Sequence, residues 1–401
     1  MMKILVQKFG GTSVSDEKRR KLVVKKIIKA KKEGYYPVVV VSAMGRKGQP
    51  YATDTLRSLV GDEFLGQNIL ASDLLMSCGE LISTVVMSKE LYKSKINAVP
   101  LMGGQAGIVT DKEFNNASVI RVETNKILDL LKEDKVPIVA GFQGQSEDGF
   151  ITTLGRGGSD VTAALLGAAL NAKSVEIYTD VDGIMTADPR IVSDASLIEE
   201  ISYNEVFQFA DQGAKVIHPR AVEIAMKSNI PLVIKNTLTD CDGTTISSVG
   251  NSNSKNVITG ITHMSDRMQV NVQLKDNSEN KSYRRLFNIL ADNFISIDLI
   301  NVFPTEKIFT IDDKDFDKFE ALMKEKDLKY SYVKGCSKIA IIGSRMRGIP
   351  GVMAKILNAL SRGDIEVLQT ADSHTTIWCL VPGEDTKKAI KVLHDEFELG
   401  V

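Results

Sequence analysis

Short β-branched runs alternate with amphipathic stretches through roughly the first 235 residues. Lys3–Gln7, Tyr36–Val41, Val136–Ala140 and Val175–Tyr178 each have the length and apolar content of a strand. Val161, Ala164, Leu165 and Ala168 fall at i, i+3, i+4 and i+7, the spacing of one helix face. From Lys18 to Lys32 basic residues dominate, but Leu22, Val23, Val24, Ile27 and Ile28 make one apolar stripe. That segment predicts a helix with a buried face and a solvated charged face rather than a nucleic-acid contact. Strands alternating with helices predict an α/β domain around a mostly parallel sheet.

Between Asp240 and Lys255 apolar residues almost vanish and Asp, Gly, Ser, Asn and Thr take over, which is the composition of a linker. Beyond it the chain repeats itself. Leu286-Phe287-Asn288-Ile289-Leu290 matches Ile356-Leu357-Asn358-Ala359-Leu360 in hydrophobic pattern. The runs Ile295-Ser296-Ile297 and Ile365-Glu366-Val367 follow in the same register and predict strands. Each repeat reads β-α-β-β-α-β, a small ferredoxin-like α+β module. The expected division is therefore 1–250, 251–333 and 334–401, with the strand Val257–Thr262 open to either module. Edge strands of such modules can pair with another chain, so a homodimer or higher oligomer is expected.

Composition narrows the classes. The 401 residues are 43% hydrophobic and 25% charged, an ordinary globular balance. Fifty Lys+Arg against 51 Asp+Glu leave a net charge of -1, so no global field favours nucleic acid or an acidic membrane. Cys78, Cys241, Cys336 and Cys379 form no C-x-x-C pair and fit a reducing compartment. The N-terminal apolar run is too short for a signal segment, and no later stretch reads as membrane-spanning, so a cytoplasmic protein is expected. His263, His374 and His394 are scattered, so no metal site is expected. His218 before Pro219 reads as a helix start, and Trp378 as strand core.

Four segments carry candidate chemistry. Lys8-Phe9-Gly10-Gly11-Thr12-Ser13 follows the first strand and precedes the basic helix. Backbone N–H groups at such a turn can cradle an anion, with Lys8 adding charge, although a Gly-Gly pair alone is as readily a plain turn. Leu154-Gly155-Arg156-Gly157-Gly158-Ser159-Asp160 opens the second helix: Ser159 and Asp160 suit a cap, and the Arg156 fork suits a carboxylate or phosphate. Glu80 sits among Leu74, Leu75, Met76, Leu81, Ile82, Val85 and Val86; it is either the surface face of an amphipathic helix or a carboxylate that needs a cationic partner. The acid-rich loop from Tyr178 to Arg190 follows a strand end, where α/β sheets place ligands. It lacks the terminal Glu of a calcium loop, which favours nucleotide contact.

Taken together, K-F-G-G-T-S, S-C-G-E, G-R-G-G-S-D, T-D-V-D-G-I-M-T-A-D-P-R and the Gly213 to Ala221 string resemble aspartokinases of the amino-acid kinase fold, and the duplicated tail resembles tandem ACT domains. The resemblance runs in order over essentially the whole chain. It implies an amino-acid kinase-like sandwich around a mostly parallel sheet, ATP and L-aspartate as substrates, and Mg²⁺ carried by the nucleotide. Lys8, Phe9, Gly10, Gly11, Ser42, Thr179, Asp180, Met185, Arg190 and Lys215 would contact ATP. Met185 stands where a Tyr is often found. Thr53, Glu80, Arg156, Gly157, Gly158 and Ser159 would form the aspartate pocket, while Lys8 and Asp160 would be catalytic.

Other acceptors used by this fold, namely acetylglutamate, glutamate, carbamate and UMP, are the nearest alternatives, and a catalytically silent amino-acid sensor is a second. The tail implies control by an amino-acid effector: lysine, meso-diaminopimelate or threonine. In the second repeat Arg347-Gly348-Ile349-Pro350-Gly351-Val352 resembles the ligand-side loop of ACT domains, with Ile349, Pro350, Gly351 and Val352 as effector candidates. The first repeat has Asp276-Asn277-Ser278-Glu279-Asn280 there and lacks the Pro-Gly turn.

Overall fold

The computed structural model describes residues 2–213, 216–251, 256–273, 281–344, 346 and 349–400. They form two compact units. The first comprises Met1–Ile184, Leu197–Ala210 and Lys215–Ser254; the second comprises Met185–Ser196, Asp211–Ala214 and Lys255–Val401. The chain therefore leaves the first unit twice before the compositional linker near residue 250.

Among the described residues, twelve strands belong to the first unit. They are β1 (Ile4–Phe9), β2 (Tyr36–Val41), β3 (Ala98–Leu101), β4 (Ile108–Thr110), β5 (Val119–Val122), β6 (Val136–Ala140), β7 (Gln143–Ser146), β8 (Ile151–Thr153), β9 (Ser174–Thr179), β10 (Glu200–Ser202), β11 (Leu232–Asn236) and β12 (Thr244–Ser247). The main sheet runs β10-β12-β11-β9-β1-β2-β6-β3 and is parallel except at β11–β12. Its central strands are apolar on both faces, with Val38 to Val41 fully enclosed, as a parallel sheet covered on both sides requires. Phe9 aligns with Val41 on one side and Tyr178 on the other, so three strands end level. β5-β4-β7-β8 form a smaller sheet.

The basic segment is a helix, Glu17–Lys32, that buries Val23, Val24, Ile27 and Ala30. The helix Ile69–Lys93 corrects one expectation, because its 25 residues are long and apolar enough to cross a membrane. Its packing explains the composition. Asp73, Ser77, Glu80, Ser83, Thr84 and Glu90 are buried, whereas Leu70, Leu74, Val85 and Tyr92 are exposed. The helix thus turns its polar side chains inward, and Glu80 lies on the enclosed face rather than at the surface.

The second unit contains β13 (Gly260–Gln273), β14 (Asp298–Val302), β15 (Glu306–Asp312), β16 (Lys329–Ile342), β17 (Gln369–Asp372) and β18 (Thr376–Pro382), in one antiparallel sheet ordered β14-β15-β13-β16-β18-β17. β13 and β16 pair over 14-residue lengths, and each serves both repeats. Gly260 to His263 pair with Ile339 to Ile342, and Ile258 and Ile261 join the core of Ile356, Leu360 and Leu393. The strand left open between the repeats therefore completes the second. Met268, Val270 and Val272, further along β13, pack with Leu286, Leu290 and Phe319 in the core of the first. The first module is an insertion within the second rather than its neighbour in series.

Ile295-Ser296-Ile297 and Ile365-Glu366-Val367 are not strands; pairing begins a few residues later, in β14 and β17. Phe294 and Asp364 have positive φ, which breaks the extended path, while Ile295 and Ile365 plug the two cores. The alternation that predicted strands reports burial without a ladder.

Candidate active site

The level ends of β1, β2 and β9 carry the first glycine turn. Gly10 N–H donates to Tyr178 O at 3.2 Å, Ser13 N–H to Gly10 O at 2.9 Å, and Ser42 N–H to Phe9 O at 3.1 Å. Strand alternation sends Phe9 inward, where its ring stacks on Tyr178 with centroids 4.7 Å apart, and leaves Lys8 on the opposite face. A Cβ on Gly11 would lie 2.5 Å from Ala43 O and 2.9 Å from Gly45 O, so only glycine lets this turn lie against the one after β2.

The second glycine turn opens the helix Gly158–Ala169. Ser159 and Asp160 do not cap it: Gly157, left-handed at φ 69°, is the N-cap and starts the helix two residues earlier than a Ser159 cap would. Asp160 consequently occupies the first turn, where a carboxylate is favoured by the exposed N–H groups, and its Oδ1 lies 2.6 Å from Lys8 Nζ. The turn is braced on two sides. Arg220 Nη1 donates to Leu154 O at 2.7 Å, and His218, whose ring lies against Gly157, caps the helix Pro219–Ser228. Burial holds the His218 imidazole below its usual pKa. From below, the fully buried Asp73 accepts the Thr153 N–H and hydroxyl at 2.8 and 2.7 Å and the Asn115 N–H at 3.0 Å.

Glu80 is 3% exposed. Its Oε1 accepts Ala43 N–H at 3.1 Å, but Oε2 is enclosed without a partner among the described residues. Desolvation pushes its pKa up to about 8. A carboxyl so placed keeps its proton near neutral pH unless a cation comes beside it.

These groups converge. A cavity of about 330 Å³ is lined by Lys8, Gly11, Ser42, Thr53, Glu80, Arg156, Gly157, Gly158, Ser159 and Asp160. Arg156 is exposed and forms no ion pair among the described residues. Phe9 and Gly10 do not line the cavity: Phe9 lies in the core and Gly10 N–H is bonded to Tyr178 O. Thr179 ends β9 and Asp180 follows it, accepting from Arg46 Nη2 at 2.6 Å. Met185 and Arg190 lie in the second unit, where Arg190 grips Asp188 at 2.6 Å; Lys215 lies outside the described residues. Across the Met44–Tyr51 turn a cavity of about 370 Å³ is lined by Ser15, Arg20, Glu90 and Lys93, but its buried carboxylate, Glu90, is already paired with Lys93 at 3.0 Å.

Arg46 and Lys47 also line the site, and sequence reasoning missed them. Their signal was available: Gly45-Arg46-Lys47-Gly48 follows the end of a predicted strand, where α/β sheets bind ligands. Asp73 gave no such signal. In the second unit Gly351, left-handed at φ 90°, caps the helix Val352–Arg362, with Ile349 exposed and Val352 buried; Arg347 and Gly348 are outside the described residues, as is Asp276 to Asn280.

A model described as the amino acid kinase family matches residues 3–236, and an ACT domain model matches residues 331–395. Fold and site thus define an amino acid kinase catalytic unit joined to ACT modules. Aspartokinase 1 of Bacillus subtilis is 43% identical over 403 residues, covering 99% of this chain and 100% of its own length. The aspartokinase of Geobacillus stearothermophilus is 36% identical over 404 residues, covering 99% and 98%. Among solved structures, E. coli aspartokinase III in complex with aspartate and ADP has a TM-score of 0.76 at 26% identity, covering 98% of this chain and 100% of that one. The same enzyme with lysine and aspartate gives 0.77 at 26% identity, covering 98% and 99%. The chain belongs to the aspartokinases, within the amino acid kinase family.

Proposed function

We propose that this chain transfers the γ-phosphoryl group of ATP to the side-chain carboxylate of L-aspartate, giving ADP and 4-phospho-L-aspartate. The observation that carries the reading is the coexistence, in one cavity, of the orphaned Glu80 Oε2 and the unpaired Arg156 guanidinium. An amino acid offers the matching ammonium and carboxylate. Arg156 takes the α-carboxylate through its planar fork, and Glu80 takes the α-ammonium. The acceptor carboxylate needs no general base, because a free side chain with a pKa of about 3.9 is already ionised near neutral pH.

One carboxylate oxygen attacks the γ-phosphorus in line as the bond to the ADP oxygen breaks, and the charge stays on the phosphates. Gly10, Gly11 and Ser42 supply backbone approach, Lys8 stabilises the charge on the transferring group, and Asp160 holds Lys8 in place. The donors suit a Mg²⁺ brought on the nucleotide. In the first unit Asp160 is engaged by Lys8 and Asp180 by Arg46, and no trio of metal-ligating side chains occurs there among the described residues. Bound there, the cation would neutralise phosphate charge.

E. coli aspartokinase III has been solved with lysine, and an amino-acid effector acting through the ACT modules is part of this proposal: lysine, meso-diaminopimelate or threonine. β14 and β17 are the outer strands, and β14 exposes Ile300 and Val302, which supports pairing with a second copy. The test is ADP release from ATP with aspartate, glutamate, N-acetylglutamate, carbamate and UMP as acceptors, with and without each effector. Aspartate alone should support turnover. N-acetylglutamate has no ammonium for Glu80, and its use in preference to aspartate would reject the reading.

A further inference from the structure

In the second unit the loop Met185–Ser196 meets the last helix, Thr386–Glu396, and three side chains that the phosphoryl transfer leaves idle come together. Ligand atoms of Asp194, His394 and Asp395 lie within 4.8 Å of one another. His394 is fully buried. Its Nε2 lies 3.0 Å from Thr186 Oγ1, which also accepts the Ser196 backbone N–H at 3.0 Å. The nitrogen that remains, Nδ1, is enclosed without a hydrogen-bond partner among the described residues. Asp194 and Asp395 are exposed, and neither is ion-paired among the described residues.

Each observation leaves something unsatisfied. A buried ring nitrogen without a partner costs the desolvation of a polar group. Two carboxylates brought together without a lysine or arginine repel each other. A cation answers both: with Nε2–H donating to Thr186, the outer hydrogen bond that fixes the ring of a metal-ligating histidine, the Nδ1 lone pair is left for the ion. We propose that Asp194, His394 and Asp395 bind a divalent first-row cation of the Zn²⁺ or Mn²⁺ class, with water completing its shell, clasping the loop to the last helix. The imidazole selects against Mg²⁺ and Ca²⁺, which take all-oxygen shells. The exposed carboxylates provide the way in. Sequence could not show the site, because its two halves lie some 200 residues apart.

The test uses the full-length chain, stripped with a chelator and kept free of nucleotide. Zn²⁺ binding is measured by calorimetry, and Co²⁺ binding by its visible absorption. One ion per chain is expected, bound at least about tenfold more weakly by Asp194→Asn and by Asp395→Asn, exposed substitutions that leave the core intact. Zn²⁺ should raise the melting midpoint of the wild type and not that of Asp194→Asn. Equal binding by wild type and both variants, or no wild-type binding below millimolar ion, would overturn the site. So would imidazole NMR resonances of His394 unmoved by saturating Zn²⁺.

Discussion

Lys8 Nζ and Asp160 Oδ1 lie 2.6 Å apart, each side chain largely enclosed, at the point where the two glycine turns meet. The pair keeps a lysine charge beside the first glycine turn without letting it swing. Lys8→Ala should lower kcat by ~10²–10³-fold, the cost of removing one preorganised donor from a developing charge. The KM for aspartate should change far less. Steady-state kinetics with aspartate varied at saturating ATP decides it, and an unchanged kcat rejects the role.

Arg156→Lys keeps the charge and loses the fork. The KM for aspartate should rise by about tenfold or more, as expected when a charge-assisted hydrogen bond is lost. Circular dichroism and the melting midpoint should match the wild type, since Arg156 is exposed and forms no ion pair among the described residues.

Glu80 makes stability and binding depend on pH. Its pKa rises from 4.5 to about 8 on folding, so between those values the folded chain keeps a proton that the unfolded chain has lost. This group's contribution therefore falls as pH rises through the window. Urea unfolding from pH 5 to 8 should show a decline that is shallower in Glu80→Gln. An arriving α-ammonium favours the charged form, so aspartate binding at pH 7 should release a proton. Calorimetry in buffers of different ionisation heat reads that release, and an identical heat in every buffer would remove the ammonium contact.

Asp73 tests the support of the second turn. Asp73→Ala leaves the N–H groups of Thr153 and Asn115 and the Thr153 hydroxyl without their acceptor, at a cost of about 2–4 kcal/mol in unfolding free energy. Asp73→Asn keeps one acceptor oxygen and should lose less. Both should raise the KM for aspartate, because the turn carrying Arg156 rests on this carboxylate; denaturant titration and kinetics report the two effects separately.

Much of this was legible in the chain, for physical reasons that differ from place to place. The main-sheet strands stood out because strands buried on both faces become unbroken apolar runs, as in Tyr36–Val41. The glycine turns stood out because close backbone approach leaves glycine no substitute, as at Gly11. The helix around Glu80 left two readings open because apolar residues lie on both sides of it, Met76, Met87 and Leu91 inward and Leu74 and Val85 outward, so composition alone does not mark the buried face. Arg46 and Lys47 carried only a positional signal, the end of a strand, because their charge by itself looks the same whether a turn faces a ligand or water. The nesting of the two repeats left no local mark, since it is a fact about which distant strand β13 joins.

That nesting has a consequence for the nascent chain. The first half of β13 emerges from synthesis with a partner, the end of β16, about 80 residues away, and the core above it closes only with the last helix. The inserted module can complete its own sheet earlier, from the other half of the same strand. Half-made chains should therefore carry a finished inner module flanked by a bare, apolar strand edge that could pair with other unfinished copies. Truncation at residue 335, after the half of β16 that pairs within the inner module and before Lys338–Ile342, would trap that species, and its sedimentation would show association beyond that of the whole chain.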